Sequence, residues 1–448
     1  GSLKERYLMN YQDKIVGMDK ALSLVKSGYH IVTGMAASEA RAFMLRLHEV
    51  VKNGVKDVTV SNCLPMADAE FIKNPEYSKY FNVDSWFYTP ALRAGFKYGN
   101  IAYIPNHLHL AGSKRLEHIK PNIYVGNATP PDKHGYVSLS LSNTYEKRMI
   151  EAADIVILEI NPKLPRTFGD VELHVSQIDY MVETDYDVPE IPDAEPSELD
   201  YKIGKMLADE INDGDCIQLG IGGMPNAIAK SLYGKKHLGV HTEMLTGEMA
   251  KLTEAGVIDN SRKRLFPGKS VCTFALGARA MYDFLDDNPG VFVMDGGYVN
   301  DPNVIALNDN QVSINSSIEV DLLGQCASES IGTKQISGTG GQSDTAVGAQ
   351  NSKGGRSYIA LYSTAMVRNS AGEKVEVSKI TARLNHGAVV SLSRNDVDRV
   401  VTEYGIAELK GTNSRERVER LVAIAHPKFR ESLMKEAYEI GLVARKSF

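Results

Sequence analysis

The sequence predicts an α/β protein: two related open α/β domains with mainly parallel sheets and helical crossovers. Three observations predict it. Short β-branched runs alternate with amphipathic stretches, an acidic proline-rich segment interrupts the chain, and the segments on either side resemble each other.

The β-branched runs are HIVTG, VTVSN, IAYIP and DIVILEIN. Between the first two lies EARAFMLRLHEVVKNG, whose apolar Phe43, Leu45, Leu47 and Val51 recur at helical spacing. Strands that alternate with helices imply parallel pairing, because a parallel connection needs a crossover. A chain of 448 residues exceeds one ordinary core, so two domains are expected. Residues 185–200 read DYDVPEIPDAEPSELD, with three prolines and seven acids. Such a run neither continues a helix nor enters the middle of a sheet. The expected division is an N-terminal domain over 1–187, a linker over 188–200 and a C-terminal domain over 201–448.

Self-similarity supports the cut. KSGYHIVTGMAASEARAFM from Lys26 aligns with NDGDCIQLGIGGMPNAIAKSL from Asn212, matching Gly28 with Gly214 and Gly34 with Gly220. Both read as turn, buried strand, glycine turn, helix. HGYVSLSLSNTYEKRMIEAADIVILEI from His134 aligns with HGAVVSLSRNDVDRVVTEYGIAEL from His386. Two matches in the same order point to duplication.

Composition narrows the function classes. Apolar residues make up 43% and charged residues 24%, an average globular balance. The net charge is −6, and no basic run exceeds Arg262-Lys263-Arg264, which disfavours a nucleic-acid partner. Cys63, Cys216, Cys272 and Cys326 are far apart and form no C-x-x-C pair, so reduced cysteines and a cytoplasmic setting are expected. No apolar stretch approaches the ~20 residues of a membrane span, so no membrane partner is expected. Gly1-Ser2 reads as a cloning remnant, with no signal peptide expected. No metal is expected, since the 11 histidines form neither H-E-x-x-H nor a zinc-spaced cluster.

Four segments carry candidate chemistry. QLGIGGMPNA, from Gln218, follows a buried strand and precedes a helix, with Pro225 in the first helical turn. Its glycines let backbone approach a ligand, and a helix N-terminus offers N–H groups to an anion. It is not a dinucleotide fingerprint, because Pro225 occupies the place of the third glycine. A tight structural turn remains the other reading. GVHTEMLTG, Gly239 to Gly247, reads as a short buried strand that ends on Glu243. A carboxylate there, flanked by Val240, Met244 and Leu245, is partly desolvated and therefore more reactive. The alternative is an acid near a helix N-terminus capped by Thr242. GTGGQSD, Gly338 to Asp344, cannot hold a regular element through its glycines, and suits either a backbone oxyanion site or a surface turn. INSSIEVD, Ile314 to Asp321, presents Asn315 before an apolar pair. Its Glu319 and Asp321 could suggest a glycosidase pair, but Trp86 is the only tryptophan and no sugar platform accompanies them.

In this order the segments resemble the acetyl-CoA hydrolase/transferase family, and within it the 4-hydroxybutyrate and butyryl-CoA:acetate CoA-transferases. The resemblance covers essentially the whole chain. It rests on PPDKHGY from Pro130, INPKLPRTFGD from Ile160, GIGGMPNA, GVHTEM, the NSSIEVD run and GGQSD followed by Gly348-Ala349. One departure is visible: the family's glutamine loop commonly reads GGQ-x-D-F, and Thr345 occupies the last place.

The resemblance implies that Glu243 is a covalent nucleophile. It implies that Gly220, Ile221, Gly222, Gly223 and Met224 line a coenzyme A site, and that Asn315, Ser317 and Gly340 face coenzyme A or the oxyanion. It implies no permanently bound cofactor, with a coenzyme A thioester as substrate, short-chain carboxylates as co-substrates, and a homodimer. The expected activity is transfer of coenzyme A between 4-hydroxybutyrate or butyrate and acetate. A hydrolase using the same glutamate, a non-catalytic CoA-binding regulator and an NAD-dependent dehydrogenase are the alternatives. The last lacks its glycine fingerprint.

Overall fold

The structure, a computed structural model, describes residues 11–444. Contacts divide the chain into two compact units. Among the described residues, the first contains 11–192, 241–250 and 268–301, and the second contains 193–240, 251–267 and 302–444. This grouping differs from the linear division expected above, because two stretches downstream of the proline-rich segment pack with the first unit. Glu243 lies in one of them.

The first unit is built on a seven-stranded sheet. Its strands are β1 (His30–Thr33), β2 (Val58–Asn62), β3 (Phe81–Ser85), β4 (Ile101–Tyr103), β5 (Ile123–Ala128), β6 (Ile155–Ile160) and β7 (Tyr180–Glu183). They lie in the order β7-β6-β5-β1-β2-β3-β4, and every pairing is parallel. All of β1 and β5 is buried, as expected of parallel strands covered on both faces. The core joins Ile31, Val60, Val83, Ile123, Val125 and Ile157 to Phe43, Leu47, Phe71 and Leu92. Phe43 lies on helix α1 (Arg41–Arg46). The expected single helix continues only as 3-10 turns over Leu47–Asn53. Helix α2 (Glu146–Ala152) precedes β6.

The second unit carries a six-stranded sheet. Helix α3 (Glu198–Ala208) leads into β8 (Cys216–Leu219), and helix α4 (Gly223–Lys230) connects it to β9 (Gly239–Val240). The sheet continues with β10 (Gln311–Ser316), β11 (Arg356–Ala360), β12 (Arg399–Thr402) and β13 (Gly405–Glu408), with helix α5 (Gln342–Asn351) between β10 and β11. The order is β9-β8-β10-β11-β12-β13, parallel except for the β12–β13 pair. Ile359, Leu361, Val400, Val418, Leu421 and Leu433 lie in its core.

The linker is shorter than expected. Ser197 Oγ accepts from Asp200 N at 3.1 Å, and Asp200 Oδ2 accepts from Ser197 N at 2.9 Å. This reciprocal cap starts α3 at Glu198, inside the proline-rich run. The two glycine turns aligned in sequence share a backbone conformation: Gly28 and Gly214 both have φ of 81° just before a buried strand. In the second alignment α2 has no helical counterpart, because residues 393–398 form a turn before β12.

Candidate active site

Glu243 sits in a bend between two short strands rather than at the end of one. His241 bridges to Val271, and Met244–Leu245 pairs with Phe274–Ala275. Its backbone is pinned on one side: Thr242 N donates to Val271 O at 2.9 Å, and Glu243 O accepts from Thr273 N at 3.0 Å and Phe274 N at 3.2 Å. The side chain is half-buried between buried neighbours. Asn300 Nδ2 donates to Oε2 at 3.2 Å. His241, two residues earlier, places Nε2 2.7 Å from Val299 O, so strand and asparagine loop are tied at two successive positions. The helix-cap alternative fails. Thr242 Oγ1 donates to Met244 O, and the following helix begins at Gly247, with Thr246 accepting from Met249 N.

Buried acids cluster near the carboxyl ends of the first unit's strands, where open α/β sheets place ligands. Glu146 Oε2 accepts from Met35 N and Oε1 from Tyr145 N, and Tyr145 OH donates to Thr33 O. Burial raises the Glu146 carboxyl. It pushes Glu39 and Glu159 up to about 7. Glu39 accepts from Met66 N and Ala67 N, and Glu159 accepts from Ala42 N, Phe43 N and Tyr186 OH. These carboxyls brace the turns that follow β1 and β2. Cys63 lies among them. Its thiol is raised first by burial and then by the charges of Glu243 and Glu146.

The other sequence-predicted site residues lie in the second unit. The chain leaves β8 at Leu219 and enters α4 at Gly223 through Gly222, which caps the helix at φ 118°, a conformation that favours glycine. Ile221 is the exposed residue of this loop, Gly220, Gly222 and Gly223 are half-buried, and Met224 is buried. Under the loop lies Asp200. A Cβ on Gly223 would overlap Asp200 Oδ2, and Asp200 Oδ1 accepts from Tyr362 OH. Burial, then the Asp200 bond, push the Tyr362 phenol up to about 12.

Asn315 lies at the end of β10 in a polar cluster. Its Nδ2 donates to Ser313 Oγ at 3.2 Å and Thr345 Oγ1 at 2.9 Å, and its Oδ1 accepts from Gln218 Nε2 at 3.3 Å. Thr345, the departure from the family pattern, thus supplies an acceptor that phenylalanine lacks. Ser317 Oγ donates to Glu319 O and Ala327 O. Gly340 has φ 53° in the loop that leads through Gly341 into α5. Glu319 and Asp321 are structural: the first accepts from Asn385, and the second from Leu323 N, Gln325 N and Gln325 Nε2. Contacts therefore group Asn315, Ser317, Gly340 and Gly220–Met224 in one unit and Glu243 in the other. Among the described residues, no group of three or more His, Cys, Asp and Glu side chains could hold a metal ion. Nor is any helix long and apolar enough to cross a membrane.

One unit bears a backbone-pinned glutamate, and the other carries a glycine loop after β8 and another before α5. A family model for the acetyl-CoA hydrolase/transferase N-terminal domain matches residues 2–192, and one for the C-terminal domain matches residues 277–437. The chain belongs to the acetyl-CoA hydrolase/transferase family. It is 42% identical over 431 residues to 4-hydroxybutyrate coenzyme A transferase of Clostridium kluyveri, covering 95% of this chain and 97% of that one. It is 36% identical over 444 residues to succinyl-CoA:cyclohexane-1-carboxylate CoA transferase of Geobacter metallireducens, covering 98% of each. The crystal structure of RipA from Yersinia pestis superposes with a TM-score of 0.89 at 35% identity, covering 98% of this chain and 100% of that chain.

Proposed function

We propose that the protein transfers coenzyme A from a short-chain acyl-CoA to a free carboxylate, with Glu243 as covalent nucleophile. The favoured acids are 4-hydroxybutyrate or butyrate exchanged with acetate, the first being the substrate named for the Clostridium relative. The observation that carries the reading is the half-buried Glu243 carboxylate at a backbone-pinned bend, oriented by Asn300.

The chemistry balances without an added reagent. The Glu243 carboxylate attacks the thioester carbonyl, the C–S bond breaks, and a mixed anhydride and CoA thiolate result. The thiolate attacks the glutamyl carbonyl and releases the first acid, leaving a glutamyl-CoA thioester. The incoming carboxylate attacks that thioester to give a second anhydride, and the thiolate then attacks its acyl carbon to restore Glu243. This is ping-pong covalent catalysis. Partial burial supports it, because a carboxylate stripped of water is a better nucleophile. By the family resemblance, the loop that enters α4 through Gly222 suits the coenzyme, since a helix N-terminus offers free N–H groups to an anion.

The test is to incubate the protein with butyryl-CoA, reduce with borohydride and map the modified peptide by mass spectrometry. Reduction at Glu243, prevented by acetate, is the expected result. An unmodified Glu243 across a panel of short acyl-CoAs overturns the covalent reading. Thioester loss without any acid acceptor, at a rate matching exchange, makes the enzyme a hydrolase instead.

A further inference from the structure

We propose that Thr273 is a positioning residue for the Glu243–Asn300 pair, acting through its hydroxyl on the segment that carries Asn300. The proposal rests on the function proposed above, and every residue in it belongs to the first unit. Thr273 is fully buried and bonds to three separate segments. Its N–H donates to Glu243 O at 3.0 Å, its carbonyl accepts from Asn143 N at 3.0 Å, and its Oγ1 donates to Met294 O at 2.8 Å.

These bonds close a circuit. Asn143 O accepts from Gly296 N at 3.1 Å, Gly296 O accepts from Asn300 N at 3.1 Å, and Asn300 Nδ2 donates to Glu243 Oε2 at 3.2 Å. The other links are between backbones, so the side-chain link on the carboxylate forms only where those backbones place its two ends. Asn300 ends the single helical turn Gly296–Val299. A turn that short does not hold itself in place. It also lacks a side-chain cap, because Asp295 at its start is bound by Arg148 Nε at 3.0 Å and Nη2 at 2.6 Å. Its seat is therefore set from outside. A Cβ on Gly296 would lie 2.6 Å from Thr144 O, so the turn sits directly on the Asn143–Thr144 backbone. The Thr273 hydroxyl sets the other side. Strands Ser270–Cys272 and Val291–Val293 pair in parallel, and Met294 N donates to Cys272 O at 2.9 Å. One residue on, the Thr273 N–H is turned to Glu243, and the hydroxyl takes up the contact to Met294 O, just before Asp295. Branching at Cβ holds that hydroxyl in few rotamers. Its loss shifts Asn300 against Glu243, which should appear in kcat rather than in acyl-CoA binding.

The test measures coenzyme A exchange by T273V, T273S, N300A and T273V/N300A beside wild type, using the short acyl-CoA and acid that wild type exchanges fastest, together with melting temperatures. T273V, which keeps the shape and loses the hydroxyl, is expected to lower kcat about tenfold, as small misplacements of catalytic groups do, with the KM for acyl-CoA within about twofold. T273S keeps the hydroxyl and restores kcat. The double variant has the kcat of N300A within about twofold, because Thr273 acts through Asn300. Should T273V fail to fold, T273A, which puts no methyl against Met294 O, takes its place. An unchanged kcat overturns the proposal, as does a loss that T273S does not restore or one that multiplies with that of N300A. Wild type without exchange on any short acyl-CoA overturns the functional reading and the proposal with it. Wild-type exchange with T273V unaffected overturns the proposal alone.

Discussion

Asn300 Nδ2 lies 3.2 Å from Glu243 Oε2, and 57 residues of sequence separate the two side chains. Asn300 is fully buried, and its Oδ1 has no hydrogen-bond partner among the described residues. The amide therefore faces the carboxylate with its donor end. A hydrogen bond to a charged group contributes about 1.5–3 kcal/mol, so N300A is expected to slow exchange about 10- to 100-fold. Steady-state kcat with saturating butyryl-CoA and acetate checks this, and an unchanged value removes Asn300 from the chemistry.

Glu243 itself is expected to be indispensable to exchange and dispensable for binding. E243A and E243D should lose exchange by several orders of magnitude while calorimetry still detects coenzyme A. Shortening by one methylene withdraws the nucleophile by more than the tolerance of a near-attack geometry. Exchange surviving in either variant would falsify the covalent role.

Gly223 and Asp200 leave no room for a side chain between them. In G223A the new methyl must displace an Asp200 carboxylate already held by Ser197 N and Tyr362 OH. Overpacking of this kind costs about 1–3 kcal/mol. The melting temperature should fall, and the KM for acyl-CoA should rise because the Gly220–Gly223 loop moves with Asp200. Thermal unfolding and initial rates on the same preparation test both halves, and a wild-type KM in G223A would separate the loop from coenzyme binding.

Glu39 makes stability depend on pH. Its folded carboxyl titrates at about 7, against an ordinary 4.5, chiefly through burial. Between these values the folded state retains a proton that the unfolded chain has released. The stability this contributes is complete below about 4.5 and is lost as pH rises through about 7. In E39Q the amide oxygen can keep both backbone donors, and the group no longer ionises. Over the same range the wild type is expected to lose up to about 3 kcal/mol relative to E39Q. Urea unfolding at several pH values measures this, and parallel slopes for the two proteins would exclude Glu39 as the source.

The elements that were legible in the sequence are those with a local signature. Gly28 and Gly214 announce their strands because a left-handed turn favours glycine, and α4 follows from glycine, proline and an apolar face. The bend at Glu243 was not legible, because the strands beside it have two residues each and no period can be read from two residues. Asn300 and Asp200 were missed for another reason. Each acts through a hydrogen bond to a residue it meets only after folding, or to a turn whose geometry composition does not encode. Thr345 was noticed only as a departure from a pattern, and its bond to Asn315 shows what the hydroxyl does there. The linear domain division misplaced Glu243 because the proline-rich run is a strong local signal, while the return of residues 241–250 to the first unit has none.

That return has a consequence for how the molecule is made. Translation delivers residues 1–192 first, but their unit is incomplete until residue 301 has left the ribosome. The stretch carrying Glu243 reaches the nascent polypeptide late, after α3, α4 and β8 have already been synthesised. A gene truncated at the proline-rich segment should therefore yield a fragment lacking 44 residues of its own unit, 10 from 241–250 and 34 from 268–301. Splitting this enzyme into two separately expressed halves should fail at that point, however exposed the segment is to a protease.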